Sequence, residues 1–359
     1  MTMRKKTLSA IGCVLVATTL SAQFADQGTN QAAAVKAYAV RALPKCASSS
    51  LALEPVTQKG PKHFQIYRAT LSSPDQHCGT ARYILFSPAT QQTLVGTVVA
   101  LPADTRPVHV RVAEQAGQML KQTVTATVAP LALPDGLKAV SIIRTTPYGP
   151  FAYHGFIDAS EQFLLIGMRG NLREDPGQTL LKTLGLDKTV ARRGNGASKV
   201  SIIELSDFQC PSCARAHEKL EPIFAKNLNK ISFSRVDLPL FENHKWALPA
   251  ALGARAIQRV APKKYWEYVD HVFTNQEEIE KVPFDSFFRN YIQDHDLDWK
   301  AIEKIYKSKT EQQAVLDSVS RSFAVGVNST PTFIVNGQVV GFGDGTYATE
   351  YIRNAIAGK

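Results

Sequence analysis

Beyond its first 25 residues the chain has no run of 18 uncharged, apolar residues. A membrane-crossing helix needs about 20, so a polytopic membrane protein is excluded. No Lys/Arg block is long enough to form a nucleic-acid-binding arm. No internal repeat is present, which removes solenoids and propellers. The chain also lacks the bias of a disordered one, with 44% hydrophobic and 20% charged residues. Five cysteines are too few for a disulfide-dense scaffold. What is present is a length of 359 residues, enough for two domains or one large one. The formal net charge is +10, and it falls to +7 once the three positive charges of residues 1–22 are set aside.

Those three charges are Arg4, Lys5 and Lys6. A charge-free stretch follows from Thr7 to Ala25, with its apolar heart at Leu8 to Leu20. Small and polar residues close it: Ser21, Ala22 and Gln23. This is the tripartite order of a secretory signal peptide, spanning 1–25. An uncleaved membrane anchor is the alternative. Cys13, after Ala10-Ile11-Gly12, also resembles a lipoprotein cleavage box behind a very short apolar stretch. The expected location is extracytoplasmic, a periplasm in particular, where disulfides persist.

Residues 26–44 are rich in Ala, Gln and Asn and read as a loose segment. Residues 45–170 read as a β-rich domain. Phe64–Arg68, Tyr83–Phe86, Thr93–Leu101, Val108–Val112, Lys121–Val128 and Phe163–Met168 carry strand signals, and Glu114–Leu120 carries a short helical one. Breakers crowd residues 171–198, among them Asp175-Pro176-Gly177 and Gly194-Asn195-Gly196. That stretch reads as a linker with a short helix near Gln178–Leu186. From 199 to 359 the order changes to strand, helix, strand, helical block (about 247–325), hairpin and helix. Asn336-Gly337 supplies the positive φ of a type I′ hairpin turn. The order predicts an α/β, thioredoxin-like fold with a helical insertion.

One motif carries chemistry. Cys210-Pro211-Ser212-Cys213 ends a predicted strand and opens a predicted helix. A helix N-terminus offers unsatisfied N–H groups and a positive dipole end, which favour thiolate over thiol. Pro211 fits the first turn, where its missing N–H costs nothing. Cys210 is the expected nucleophile and Cys213 the resolving thiol. The alternatives are an inert disulfide or half of a zinc site. Zinc wants four ligands; His217, four after Cys213, would be a third, and no fourth is apparent. Neither a metal nor a cofactor beyond the dithiol is expected.

Glu204 lies inside the apolar strand run, where an acid is costly without a role or a partner. It is read either as the proton acceptor of Cys213 through water or as the partner of a lysine at the domain edge. Thr330-Pro331 enters the hairpin and is read as a cis peptide. That would free the Thr330 backbone to pair with an extended substrate chain.

These residues resemble the Dsb family of thiol–disulfide oxidoreductases, of the DsbA type. Asp207-Phe208-Gln209-Cys210-Pro211-Ser212-Cys213, Glu204, the helical block and Val327–Phe333 carry the resemblance, over about Lys199 to Lys359. It implies disulfide exchange with secreted proteins, as oxidase or isomerase. The alternatives are a dedicated reductase for one partner and a client-binding chaperone module. Two features depart from the strong oxidases of the family. Pro-Ser replaces Pro-His between the cysteines, which implies a less stabilised thiolate and a weaker oxidant than about −120 mV. Thr330 precedes the proline, as in isomerase-type members. Those members also carry an N-terminal domain through which they dimerise.

With Cys13 removed, locality of the Cys210–Cys213 pair leaves Cys46–Cys78 as a structural bridge. It would close a loop of about 30 residues and stabilise by roughly 3 kcal/mol. A second redox pair is the alternative. Expected partners are unfolded or partly oxidised secreted proteins, a membrane or soluble redox partner and a second copy of the chain, and no nucleic acid.

Overall fold

The computed structural model describes residues 31–45, 49–72, 80–186 and 190–359. The leader, Cys46 and Cys78 lie outside the described residues, and so does the bridge expected between those cysteines. The two expected classes are present: a β-rich N-terminal unit and a thioredoxin-like α/β unit.

The first element among the described residues is helix α1 (31–42). Strands β1 (Ser50–Pro55), β2 (Gln65–Ser72), β3 (Thr80–Phe86) and β4 (Gln92–Ala100) follow as antiparallel neighbours. Helix α2 (Val108–Leu120) comes next, then β5 (Thr125–Ala132), β6 (Lys138–Thr146), β7 (Gly149–Ile157) and β8 (Phe163–Asn171). The eight strands form one antiparallel sheet in the order β1-β2-β3-β4-β8-β7-β6-β5.

Two expectations for this half are corrected. The loose segment is largely the helix α1. Val35, Ala39 and Leu43 stand at i, i+4 and i+8 and bury against Tyr67, Ala69, Ile84 and Phe86 of β2 and β3. An Ala-rich stretch with one apolar stripe is a good helix once a sheet covers the stripe. The strand read at Val108–Val112 is the first turn of α2. Val108, Val112, Ala116 and Leu120 also fit a four-residue spacing, and Pro107 immediately before them opens the helix. The valine alternation satisfied both periods, and packing on β5 and β6 decides between them.

Helix α3 (Pro176–Leu184) opens the connection, capped by the Asp175 side chain on the Gln178 N–H at 3.1 Å. The stretch read as linker then contributes an edge strand, β9 (Ala191–Gly194). It pairs antiparallel with β11 (Ile231–Asp237) and sets Arg193 against Glu221 and over the Trp266 ring at 4.2 Å.

The second sheet runs β13 (Gln338–Gly341), β12 (Thr332–Val335), β10 (Val200–Ser206), β11 and β9 in that order. Strand β10 (Val200–Ser206) leads to helix α4 (Pro211–Lys226) and to β11 (Ile231–Asp237), parallel to β10. Six helices fill the insertion: α5 (Ala247–Val260), α6 (Tyr265–Thr274), α7 (Gln276–Ile279), α8 (Phe284–Asp294), α9 (Trp299–Tyr306) and α10 (Lys309–Ala324). The hairpin β12 (Thr332–Val335) and β13 (Gln338–Gly341) and helix α11 (Thr346–Ala357) close the chain. Asn336 and Gly337 have φ of 51° and 82°, as the type I′ turn requires. A side chain at Gly177 would press on the Gly337 carbonyl at 2.5 Å, so α3 and the turn meet through two glycines.

The two halves share a joint. Helix α10 lies along β7: Ser320 donates to the Ala152 carbonyl and Gln312 to that of Tyr148. Arg321 donates to the Leu184 carbonyl at 3.0 Å. Phe151, 1% exposed, meets Tyr153, Phe241 and Phe323 edge-on at 4.9, 5.6 and 5.9 Å between ring centroids. At the far edge, the Lys45 N–H reaches the Val339 carbonyl at 2.9 Å and its carbonyl accepts from Gly341 at 3.1 Å. The segment after α1 thereby caps the β13 edge.

This joint makes the halves one cooperative unit. Urea unfolding should show a single transition, and Phe151→Ala should lower its stability by about 3–5 kcal/mol. Two separable transitions in the unsubstituted chain would contradict the joint.

Candidate active site

Strand β10 ends at Ser206 and α4 begins at Pro211, which leaves a four-residue turn at the C-terminal edge of the sheet. Cys210 occupies the cap position of α4 with extended backbone angles, φ −72° and ψ 120°. Its carbonyl accepts from the N–H groups of Cys213 at 3.0 Å and Ala214 at 3.2 Å. Pro211 is the first helical residue, as its ring geometry favours. Cys210 is 8% exposed and Cys213 fully buried, and both are free thiols.

The two sulfurs are held in different states. The Cys210 thiol is lowered to about 5 from 9.0. A hydrogen bond from Cys213 is the largest cause; contact with Thr330 and the backbone N–H groups of Cys213 and Ser212 add to it, against the cost of burial. Burial pushes the Cys213 thiol well above 9.0, and the neighbouring Cys210 pushes it further. At neutral pH Cys210 is therefore the thiolate and Cys213 the thiol that donates to it. Ser212 acts through its backbone N–H. Its hydroxyl is turned away and accepts from Arg215 at 2.7 Å.

Thr330-Pro331 lies across from the dithiol, and the bond is cis. The Cys210 Sγ stands 3.5 Å from the Thr330 carbonyl. Cys210, Cys213, Pro211, Ser212, Thr330 and Pro331 are thus together.

Glu204 lies on β10 two residues before its end, 5% exposed and in register with Arg235 on β11. Its Oε1 makes no hydrogen bond. It faces a cavity of about 10 Å³ shared with Arg235 and His217, space for about one water. The cation in register with it is an arginine on the next strand, not a lysine at the domain edge. His217 itself pairs with Asp270 at 2.9 Å. His217, Glu221 and Asp270 are the one group of potential metal ligands among the described residues, and neither cysteine belongs to it. Both carboxylate oxygens of Glu221 already accept from Arg193.

Sequence reasoning assigned no role to the residues that brace the turn. Asp207 is fully buried, and its carboxylate accepts from the Gln209 and Leu240 N–H groups, each at 2.7 Å. His244 Nδ1 approaches it to 2.7 Å. The Asp207 backbone works on both cysteines: its N–H points at Cys213 Sγ at 3.4 Å and its carbonyl accepts from the Cys210 N–H at 3.2 Å. Gln276 donates to the Phe208 and Cys210 carbonyls at 2.7 and 3.2 Å. Gln209 and Trp246 both donate to Glu280 Oε1 at 2.9 Å. Trp246 is buried and stacks on Phe284, so it is a core residue that holds the rim. The signal for Asp207 was its place in the motif; His244 stands 37 residues away and carried none.

Residues 187–356 match the family model for thioredoxin. The matched segment carries the thioredoxin-like sheet, and its helical insertion lies between β11 and β12. Among curated proteins the chain is similar to Na(+)/H(+) antiporter NhaA 3 of Salinispora tropica. They are 27% identical over 146 residues, 41% of this chain and 21% of the antiporter. It is also similar to disulfide bond formation protein D of Bacillus subtilis, 23% identical over 177 residues, 46% of this chain and 77% of that protein. The match spans about a fifth to a quarter of the length of the antiporters. Among solved structures it is similar to the thiol-disulfide exchange protein alpha-DsbA2 from Wolbachia pipientis. That likeness has 18% identity and a TM-score of 0.43, over 51% of this chain and 93% of that one. No helix among the described residues is long and apolar enough to cross a membrane.

His244 is held above its ordinary 6.5, first by its bond to Asp207 and also by attraction to Cys210 and Glu280. A raised pKa means the charged form and its stabilisation are complete below pH 6.5 and fade as pH passes the raised value. His244→Gln removes the charge, so thiolate absorbance should report an upward shift of the Cys210 titration from about 5. An unmoved titration would show that His244 only braces the loop.

Proposed function

We propose that the chain is an extracytoplasmic thiol–disulfide oxidoreductase that exchanges the Cys210–Cys213 disulfide with cysteines of secreted proteins, as oxidase or isomerase. The observation that carries this reading is the division of labour in the dithiol. Cys210 is a thiolate near pKa 5 at a helix N-terminus, and Cys213 is a buried thiol behind it. A stabilised Cys210 thiolate favours the reduced protein and makes its disulfide readily reducible.

In the oxidising direction a client thiolate attacks Cys210 Sγ of the disulfide. The client–Cys210 bond forms, the Cys210–Cys213 bond breaks and Cys213 leaves with the electron pair, taking up a proton as its high pKa demands. A second client thiolate attacks the first client sulfur and expels Cys210 as thiolate. The client is oxidised by two electrons and the protein reduced by two. Glu204 would accept the Cys213 proton through water; the small cavity it faces is lined by Arg235 and His217 and does not itself reach Cys213. Thr330, beside Cys210, would receive the client backbone. A membrane or soluble redox partner restores the disulfide.

An equilibrium titration of the mature protein against glutathione should place the couple between about −120 and −200 mV. A potential at or below about −270 mV would mean a reductase or an inert bridge. Cys210→Ser should abolish exchange with a reduced client; persistence of the activity in that variant would point to a client-holding chaperone.

A further inference from the structure

The joint between the halves is not closed everywhere. Beside the aromatic cluster it leaves a cavity of about 390 Å³, inside the ~300–1,000 Å³ range of sites that hold organic ligands. Six half-buried apolar side chains wall it. Leu120, Tyr153 and Ile166 come from the N-terminal domain, and Leu240, Phe241 and Phe323 from the thioredoxin-like domain. Arg144 and Glu242, also on the wall, pair with each other. The Arg144 guanidinium sits 5.7 and 5.8 Å from the centroids of the Tyr153 and Phe241 rings. The surface is apolar and aromatic, and its two charges neutralise each other.

Its position matters as much as its lining. Asn328 forms part of the wall, two residues before Thr330, whose carbonyl is 3.5 Å from Cys210 Sγ. Two residues of chain span at most about 7 Å. Leu240, also on the wall, is bound through its N–H to the Asp207 carboxylate that braces the dithiol turn. Neither cysteine lines the cavity, but the two loops that frame the dithiol both do. In an extended chain, side chains two residues apart stand about 7 Å apart on one face. A client joined to Cys210 and running past Thr330 brings a side chain two or three residues from its cysteine to the opening.

We propose that this cavity is a client subsite. It takes an aromatic or large aliphatic side chain of an extended, unfolded polypeptide, close in sequence to the cysteine that exchanges with Cys210. The inference rests on the oxidoreductase reading and names what that activity selects. The occupant follows from continuity with the dithiol, because the mixed disulfide tethers the client at Cys210 and a client that runs from Thr330 toward Asn328 meets this wall. An unfolded segment exposes the apolar side chains that a folded client buries, and the Arg144–aromatic wall suits the face of a ring. The N-terminal domain supplies half of the subsite, so the catalytic domain alone would lack it.

The test uses the full-length oxidised chain and a pair of two-cysteine peptides that differ only in carrying Phe or Gly two residues from the first cysteine. The Phe peptide should reduce the protein with a kcat/KM about tenfold higher. Leu120→Trp fills the cavity from the half-exposed end of α2, and Leu120→Asp places a charge on its wall. Both should bring the ratio between the peptides close to one. Taking the ratio within each variant removes any dependence on the amount of folded protein. Equal rates for the two peptides in the unsubstituted chain would overturn the subsite while leaving the oxidoreductase reading intact. A tenfold preference that persists in both Leu120 variants would do the same. No reaction with either peptide would remove both.

Discussion

The site depends on a helix that starts at a cysteine. The first turn of α4 has N–H groups with no partner inside the helix, and the cap position decides what they face. An ordinary cap places a Ser, Thr, Asp or Asn oxygen there. Here the position is Cys210 and its side chain makes no cap bond. The unsatisfied N–H groups and the positive helix end act on sulfur instead. Ser212 and Cys213 contribute through the backbone, and for that the residues between the cysteines need only be compatible with a first turn. Pro-Ser meets this requirement without a charged side chain, and the charge that stands near the site comes from another loop.

That loop is held by Asp207. A buried carboxylate is costly unless its oxygens are satisfied, and here they accept from two backbone N–H groups and face His244. The same residue touches Cys210 and Cys213 through its backbone. One side chain thus fixes the turn before α4, the loop after β11 and the place of a titratable imidazole. Losing the carboxylate would leave two N–H groups without acceptors in a dry environment, which costs more than the bonds themselves are worth. The two loops are therefore coupled: neither can shift without unsatisfying the other.

Much of the C-terminal half was legible because its signals are local. Cys210-Pro211-Ser212-Cys213 sits at a strand-to-helix switch that apolar periodicity marks on both sides, and Asn336-Gly337 admits few backbone shapes besides its turn. The missed features are those that only tertiary packing decides. Residues 31–42 form a helix because β2 and β3 cover Val35 and Ala39. Val108–Val112 fits both a two-residue and a four-residue period, and α2 wins through its contact with β5 and β6. Ala191–Gly194 is a strand because β11 offers an edge, whereas its Arg-Arg-Gly composition reads as solvated loop. His244 meets Asp207 across 37 residues, and no spacing rule connects them.

Helix α10 links the architecture to the chemistry. Its Ser320 is bonded to β7 and its Gln312 to Tyr148 just before that strand, and Phe323 packs on Phe151 and Tyr153. Seven residues further on, Thr330 touches Cys210. The loop that faces the reactive sulfur is therefore anchored at one end by the N-terminal sheet and at the other by β12 in the thioredoxin-like sheet. If the halves were merely tethered, Phe241 and Phe323 would stand bare on the thioredoxin-like domain, and the stretch from α10 to β12 would lose one of its two anchors. Burial of one aromatic cluster between β7 and the α10 side of the thioredoxin-like domain serves stability and site geometry together, which is why β7 belongs to the scaffold of the dithiol although it contributes no atom to it.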